Sequence, residues 1–205
     1  MMKKITILDY GLGNIRSLKN SLKLISNNVS YFSENKKNNF DILFIPGVGS
    51  FSKASEILFQ KDYSDLIFET KKKDILIVGI CLGMHLLLTK GFEDGESRGL
   101  DFIKGYVDKI PVKNQKIPNI GWRKVSFIDN KQFNFLKKFN NSKFYFVHSY
   151  MSNLENKKNI ISHINYDNIK VPTIIHEKNV LGIQFHPEKS GENGIEFLKE
   201  IINKY

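Results

Sequence analysis

IVGICLGMHLLL, residues Ile77–Leu88, is the stretch on which the reading of this chain turns. From Ile75 to Ile80 the residues are apolar apart from one glycine, which suits a strand buried on both faces. At Gly79-x-Cys81-x-Gly83 the run breaks, and the residues that follow read as a helix. Strand, tight turn and helix with a cysteine at the corner is the layout of a nucleophile elbow. Glycines on both sides permit the turn, and the helix N-terminus favours a thiolate. The competing reading is a small apolar side chain closing a core strand.

The same strand-loop-helix unit recurs on either side. Ile5 to Asp9 (ITILD) is a short β-branched run, YGLGN is a glycine turn, and Ile15, Leu18, Leu22 and Ile25 then follow at amphipathic-helix spacing. Asp41 to Ile45 (DILFI) is a second apolar strand, closed by Pro46-Gly47-Val48-Gly49 and followed by a helical stretch through Ala54, Ile57 and Leu58. Such alternation predicts an α/β fold with a mainly parallel central sheet and helices on both faces. Beyond about residue 100 the pattern shortens. KGYVDKI, IGWRKVSFI, KFYFVHSYM and IISHINY read as alternating strands, an antiparallel extension of the same sheet, before a C-terminal helix in GIEFLKEIINKY. With no linker or repeat, residues 1–205 are read as a single domain.

Composition narrows the function classes. A chain of 205 residues, 41% hydrophobic, can bury one substantial core. Its single cysteine excludes an internal disulfide framework and fits a reducing, cytoplasmic setting. The apolar run after the N-terminal lysines stops at Asp9, too soon for a signal peptide, and no stretch has the length of a membrane span. The net charge of +10 comes from lysines in small scattered groups (Lys36-Lys37, Lys71 to Lys73, Lys137-Lys138, Lys157-Lys158) with no nucleic-acid-binding motif beside them. They read as solvated charge. Gly11-Leu12-Gly13 hints at a dinucleotide loop, but the third glycine position is Arg16, so no nucleotide cofactor is expected, and no metal.

A working thiol needs a base and something to orient that base. Of five histidines, only His186 has a carboxylate two residues on, in Gln184-Phe185-His186-Pro187-Glu188. In an extended segment residues i and i+2 share a face, so Glu188 can hold the imidazole while the other ring nitrogen faces the thiol. His85 is the rival base, one helical turn beyond Cys81 but without a carboxylate in its own segment. His163 and His176 read as structural or surface residues, and His148 alone is uninformative.

With these pieces on the page, the chain resembles the class I (triad) glutamine amidotransferases, most closely the glutaminase subunits of imidazole glycerol phosphate synthases. LDYGLGN, LFIPGVGSF, VGICLGMHLL, IPNIGW, FYFVHSY and GIQFHPEKSGENG carry the resemblance, in the family's order and across nearly the whole chain. It implies a flavodoxin-like fold and a triad of Cys81 as nucleophile, His186 as base and then acid, and Glu188 as orienter. It implies oxyanion donors at the backbone N–H groups of Val48 and Leu82. Gly47, Gly49, His85, Glu93 (for the α-amino group), Ser149 and Tyr150 would bind glutamine. No cofactor is implied. The partner would be a (β/α)8-barrel cyclase subunit, joined as a heterodimer, which receives ammonia for a step of histidine biosynthesis; Asn14, Trp122 and Lys189 match positions at the docking face. Two residues depart from the pattern: His85 stands where the family usually has glutamine, and Arg123 where asparagine commonly follows Gly-Trp. They leave open a paralogous glutaminase serving another acceptor, such as a surface-glycan sugar amidotransferase. An inert regulatory subunit is a further alternative, which an intact Cys81, His186 and Glu188 argues against.

Overall fold

A computed structural model describes residues 3–34, 39–60 and 63–205 of the chain; the Lys36-Lys37 pair lies outside the described residues. In chain order the strands and helices are β1 (Ile5–Ile7), α1 (Ile15–Lys23), β2 (Val29–Tyr31), β3 (Ile42–Gly47), α2 (Phe51–Gln60), α3 (Tyr63–Lys72), β4 (Leu76–Cys81), α4 (Leu82–Leu86), β5 (Leu88–Gly91), β6 (Ser97–Arg98), β7 (Ile103–Lys109), β8 (Asn119–Lys124), β9 (Ser126–Phe127), β10 (Lys143–His148), β11 (Tyr150–Leu154), β12 (Ile160–Tyr166), β13 (Ile169–Glu177), β14 (Val180–Ile183) and α5 (Gly191–Lys204). The main sheet has eight strands in the order β2-β1-β3-β4-β14-β13-β12-β9. Its first five strands are parallel and the rest antiparallel.

The apolar runs form strands because the sheet is covered twice. In β4 all six residues are buried, and alternate side chains enter opposite layers. Leu76, Val78 and Ile80 join Ile42, Phe44 and the buried faces of α1 and α5 in one layer. Ile77 joins Leu43, Ile45, Ala54 and Leu58 of α2 and Ile67 of α3 in the other. Each such fully buried side chain contributes about 1.5–3 kcal/mol relative to exposure.

The second half departs from the sequence expectation. IISHINY, the Ser126–Phe127 end of IGWRKVSFI and the unforeseen strands β13 and β14 complete the main sheet, whereas the rest of the alternating segments do not. The strands β10 and β8 pair as a separate ribbon, and β11-β7-β5-β6 form a third small sheet. Alternation reports one buried face and is blind to which strand lies alongside. The helix after Cys81 is likewise short: α4 ends at Leu86, because Leu88 already pairs with Ile103 in the third sheet. No helix among the described residues is long and apolar enough to cross a membrane.

Candidate active site

Parallel register brings three loops together. Within the sheet Gly47 pairs with Cys81 and Ile183 with Ile80, so the Pro46–Gly49 loop, Cys81 and the Gln184–Glu188 segment all leave the same, carboxyl end of adjacent strands. In open α/β sheets this end is where ligands bind.

Cys81 sits at the elbow with φ 55° and ψ −110°, a conformation that side-chain-bearing residues rarely adopt. Both flanking glycines are required by close approach. A Cβ on Gly79 would lie 2.5 Å from the Gly83 carbonyl oxygen, and one on Gly83 would lie 1.7 Å from that of Ile45. The turn therefore presses α4 directly onto β3 and β4. The sulfur faces the Val147 carbonyl oxygen at 4.0 Å and the Gln184 side-chain Nε2 at 3.9 Å.

His186 is held from three directions. Phe185 stacks on Phe144 at 4.2 Å and fixes the residue before it; the His186 N–H donates to the Tyr145 carbonyl at 2.9 Å; the Ser190 hydroxyl donates to the His186 carbonyl at 2.6 Å. Its Nδ1 lies 2.8 Å from Glu188 Oε1, and both side chains are buried. The contact is made across a tight 3-10 turn, Pro187–Lys189, in place of the extended segment expected from i, i+2 spacing, because Pro187 at its first position starts the turn. Nε2 has no hydrogen-bond partner among the described residues. Burial opposes the charged ring, but Cys81 and Glu188 outweigh it and push His186 up to about 10.

His85, the rival base, carries no carboxylate. Its Nε2 meets Gln184 Oε1 at 2.7 Å, and since that oxygen only accepts, Nε2–H donates. Burial pushes His85 down to about 4. His148 also lines the site, which its sequence position alone did not disclose. It donates from Nδ1 to the Tyr150 carbonyl at 2.8 Å and accepts at Nε2 from Asn119 at 3.0 Å, while Arg123 Nε donates to Asn119 Oδ1 at 2.9 Å. His148 too is held down to about 4, chiefly by burial. Arg123, one of the two departures, thus has an internal partner.

Around the sulfur is a pocket of about 390 Å³ that takes in Val48, Gly49, Leu82, His85, Glu93, Ser149 and Tyr150 of the expected residues, together with Lys189. Gly47 lies behind that wall, packed against the Tyr10 hydroxyl and Leu82. Glu93 accepts from the Phe51 N–H at 2.8 Å, and burial raises its carboxyl. Asn14 caps α1, accepting from the Ser17 N–H at 3.3 Å. Trp122 is 48% exposed on β8 beside Ile120 at 53%, its ring edge-on to Tyr145. His163 and His176 lie elsewhere, the latter against Phe133 and Tyr205. Two contributors lay inside quoted motifs without being singled out: Gln184, and Tyr10, whose buried hydroxyl has no hydrogen-bond partner among the described residues and whose phenol is raised by burial and by Cys81. No metal-binding cluster occurs among the described residues.

Residues 6–204 match the family model described as glutamine amidotransferase class-I. The chain belongs to this family. A protein from Caldanaerobacter subterraneus named "Imidazole glycerol phosphate synthase subunit HisH" is 41% identical to this chain, covering 95% of each. A protein of the same name from Lactococcus lactis is 39% identical over 99% of this chain and 100% of its own. Of solved structures, "Structure of PurLQS from Thermotoga maritima" superposes with a TM-score of 0.77 at 18% identity, over 99% of both chains, a likeness of fold.

The buried histidines of this amidotransferase set an acid limit on its stability. Unfolded, His85 and His148 take up protons near pH 6.5, whereas folded they stay neutral to about 4. Across that window the unfolded chain binds more protons, so stability falls as pH drops from about 6.5 to about 4, by up to about 3 kcal/mol for each. Urea midpoints measured between pH 7 and 4 should show this decline, with a shallower slope in His85→Gln; an identical slope would contradict it.

Proposed function

We propose that this chain is the glutaminase subunit of an imidazole glycerol phosphate synthase, hydrolysing glutamine through a Cys81-His186-Glu188 triad and delivering ammonia to a (β/α)8-barrel cyclase. The observation that carries the chemistry is His186, tied by Nδ1 to Glu188 at 2.8 Å, with an Nε2 that has no hydrogen-bond partner among the described residues and a ring whose charged form both Cys81 and Glu188 favour. The acceptor is argued from relatives bearing that synthase's name at 41% and 39% identity over nearly full length.

With its proton already on His186 Nε2, where Cys81 and Glu188 favour the charged ring, Cys81 Sγ attacks the side-chain amide carbon of glutamine. The carbonyl oxygen becomes an oxyanion, for which the N–H groups of Val48 and Leu82 are the proposed donors. Collapse breaks the C–N bond; His186 returns the proton to nitrogen, ammonia leaves, and a glutamyl thioester remains. Water, deprotonated by His186, which is neutral after giving its proton to ammonia, attacks the thioester carbon, releasing glutamate and restoring the Cys81 sulfur beside the protonated ring. Gly49, Glu93 and the backbone at Ser149 and Tyr150 hold the amino-acid end, with Gly47 shaping the oxyanion loop. Ammonia lost to bulk water is wasted, so the pocket serves a partner. Asn14, exposed Trp122 and Lys189 at the pocket margin are the proposed docking residues, with Trp122 as anchor.

The test is reconstitution with a barrel cyclase. Glutamate release and imidazole glycerol phosphate formation should appear together, in equal amounts. A stable complex that forms imidazole glycerol phosphate from ammonium but not from glutamine would sink the assignment.

A further inference from the structure

Gln184 and His85 form a buried pair that the triad leaves unused. Gln184 follows β14 directly and is wholly buried, and the register that sets Ile183 against Ile80 puts its side chain next to Cys81. The amide has two ends and two neighbours: Oε1 is 2.7 Å from His85 Nε2, and Nε2 is 3.9 Å from Cys81 Sγ.

We infer that Gln184 is a positioning residue of the nucleophile: its amide N–H donates to the Cys81 sulfur, in an orientation fixed by the His85 Nε2–H bond to its oxygen. Resting on the triad reading, the inference adds a residue to it and gives the His85 departure a task. An amide can rotate by half a turn, exchanging oxygen and nitrogen, and only its neighbours decide which end faces the sulfur. The reversed orientation would set the carbonyl oxygen against a sulfur that must become negative to attack. His85 prevents this, because a ring N–H facing the amide demands the oxygen. Burial keeps the ring neutral, so it carries a single N–H, and the pairing with Oε1 puts that proton on Nε2. A donor aimed at a developing thiolate forms a charge-assisted bond, which is stronger than a neutral one. Other titratable groups act on Cys81 from separate elements: His186 from the segment after β14, and Tyr10 from the loop after β1. His186 moves the proton, while the Gln184 N–H steadies the sulfur that has lost it.

Because Cys81 is the only cysteine, its alkylation by iodoacetamide reads thiolate reactivity without glutamine or a partner. In Gln184→Met, close in size but without a donor, alkylation at neutral pH should slow about tenfold, its pH profile should move about one unit toward alkaline, and kcat for glutamine should fall more than KM rises. His85→Leu, which frees the amide to turn, should move the profile in the same direction. His85→Gln, which restores a donor to Oε1, should move it back toward wild type. A wild-type profile in folded Gln184→Met, or in His85→Leu where the first variant does not fold, would overturn the inference. His186→Asn in parallel separates the two readings: hydrolysis surviving there would remove the triad itself, whereas its loss beside an unaltered Gln184→Met profile removes only the amide.

Discussion

Replacing His186 by Asn is expected to abolish glutamine-dependent turnover, by about 10⁴-fold or more, and to leave turnover with added ammonium in the reconstituted complex. The two activities separate because they draw on different chemistry. Glutamine requires a base for the thiol, an acid for departing ammonia and a base for water, and His186 is proposed for all three. Asn supplies none of them. Ammonium bypasses those steps, since free ammonia enters the acceptor site directly. Asn is the informative replacement because its amide keeps an N–H toward Glu188, whose side chain is only 5% exposed. Removing that donor altogether would leave a buried carboxylate alone, at a cost of about 3–5 kcal/mol. Loss would then reflect unfolding. Rates for both nitrogen sources with one enzyme preparation check the prediction, and equal loss of both in a folded complex would contradict the division of labour.

How far the site was legible in the sequence follows from the distance over which each relationship acts. Cys81 between two glycines, and His186 two residues from Glu188, are local patterns, and local patterns survive in one dimension. The chain's path between His186 and Glu188 was read as extended where it is a 3-10 turn, although the carboxylate reaches the ring either way. The strands β3 and β4 were legible because burial on both faces leaves continuous apolar runs. The small sheets were not, since alternation in β7, β8 and β10 is what any half-buried strand shows, and partner choice is tertiary. Gln184 lay inside a quoted motif, but its partner His85 is 99 residues away, and no spacing rule reaches that far. The same holds for Arg123, Asn119 and His148, linked across the β8 and β10 ribbon. The departures from pattern were visible as residues, whereas the bonds that absorb them were not.

The elbow itself yields the second large effect. Gly83→Ala is expected to lower Tm by about 10 °C and to cut glutaminase activity about 100-fold or more, although alanine is the better helix former by about 1 kcal/mol. Packing decides against propensity here. The added Cβ would lie 1.7 Å from the Ile45 carbonyl oxygen, which belongs to the backbone of a central strand and has no rotamer by which to retreat. Either α4 lifts from β3 or the strand shifts, and overpacking of this kind costs about 3 kcal/mol. A lifted α4 also displaces Leu82, the proposed oxyanion donor beside Cys81, so activity should fall further than stability alone requires. Gly191→Ala supplies the contrast. Gly191 has φ 59° but, apart from its own helix backbone and chain neighbours, no atom of the described residues within 4 Å of its would-be Cβ, so the cost is backbone strain of about 1 kcal/mol and a Tm loss of about 3 °C. Thermal melts of both variants beside glutamate-release assays distinguish steric demand from backbone strain. Equal Tm losses would mean that α4 does not seat on β3 through Gly83, and that the elbow owes its shape to φ alone.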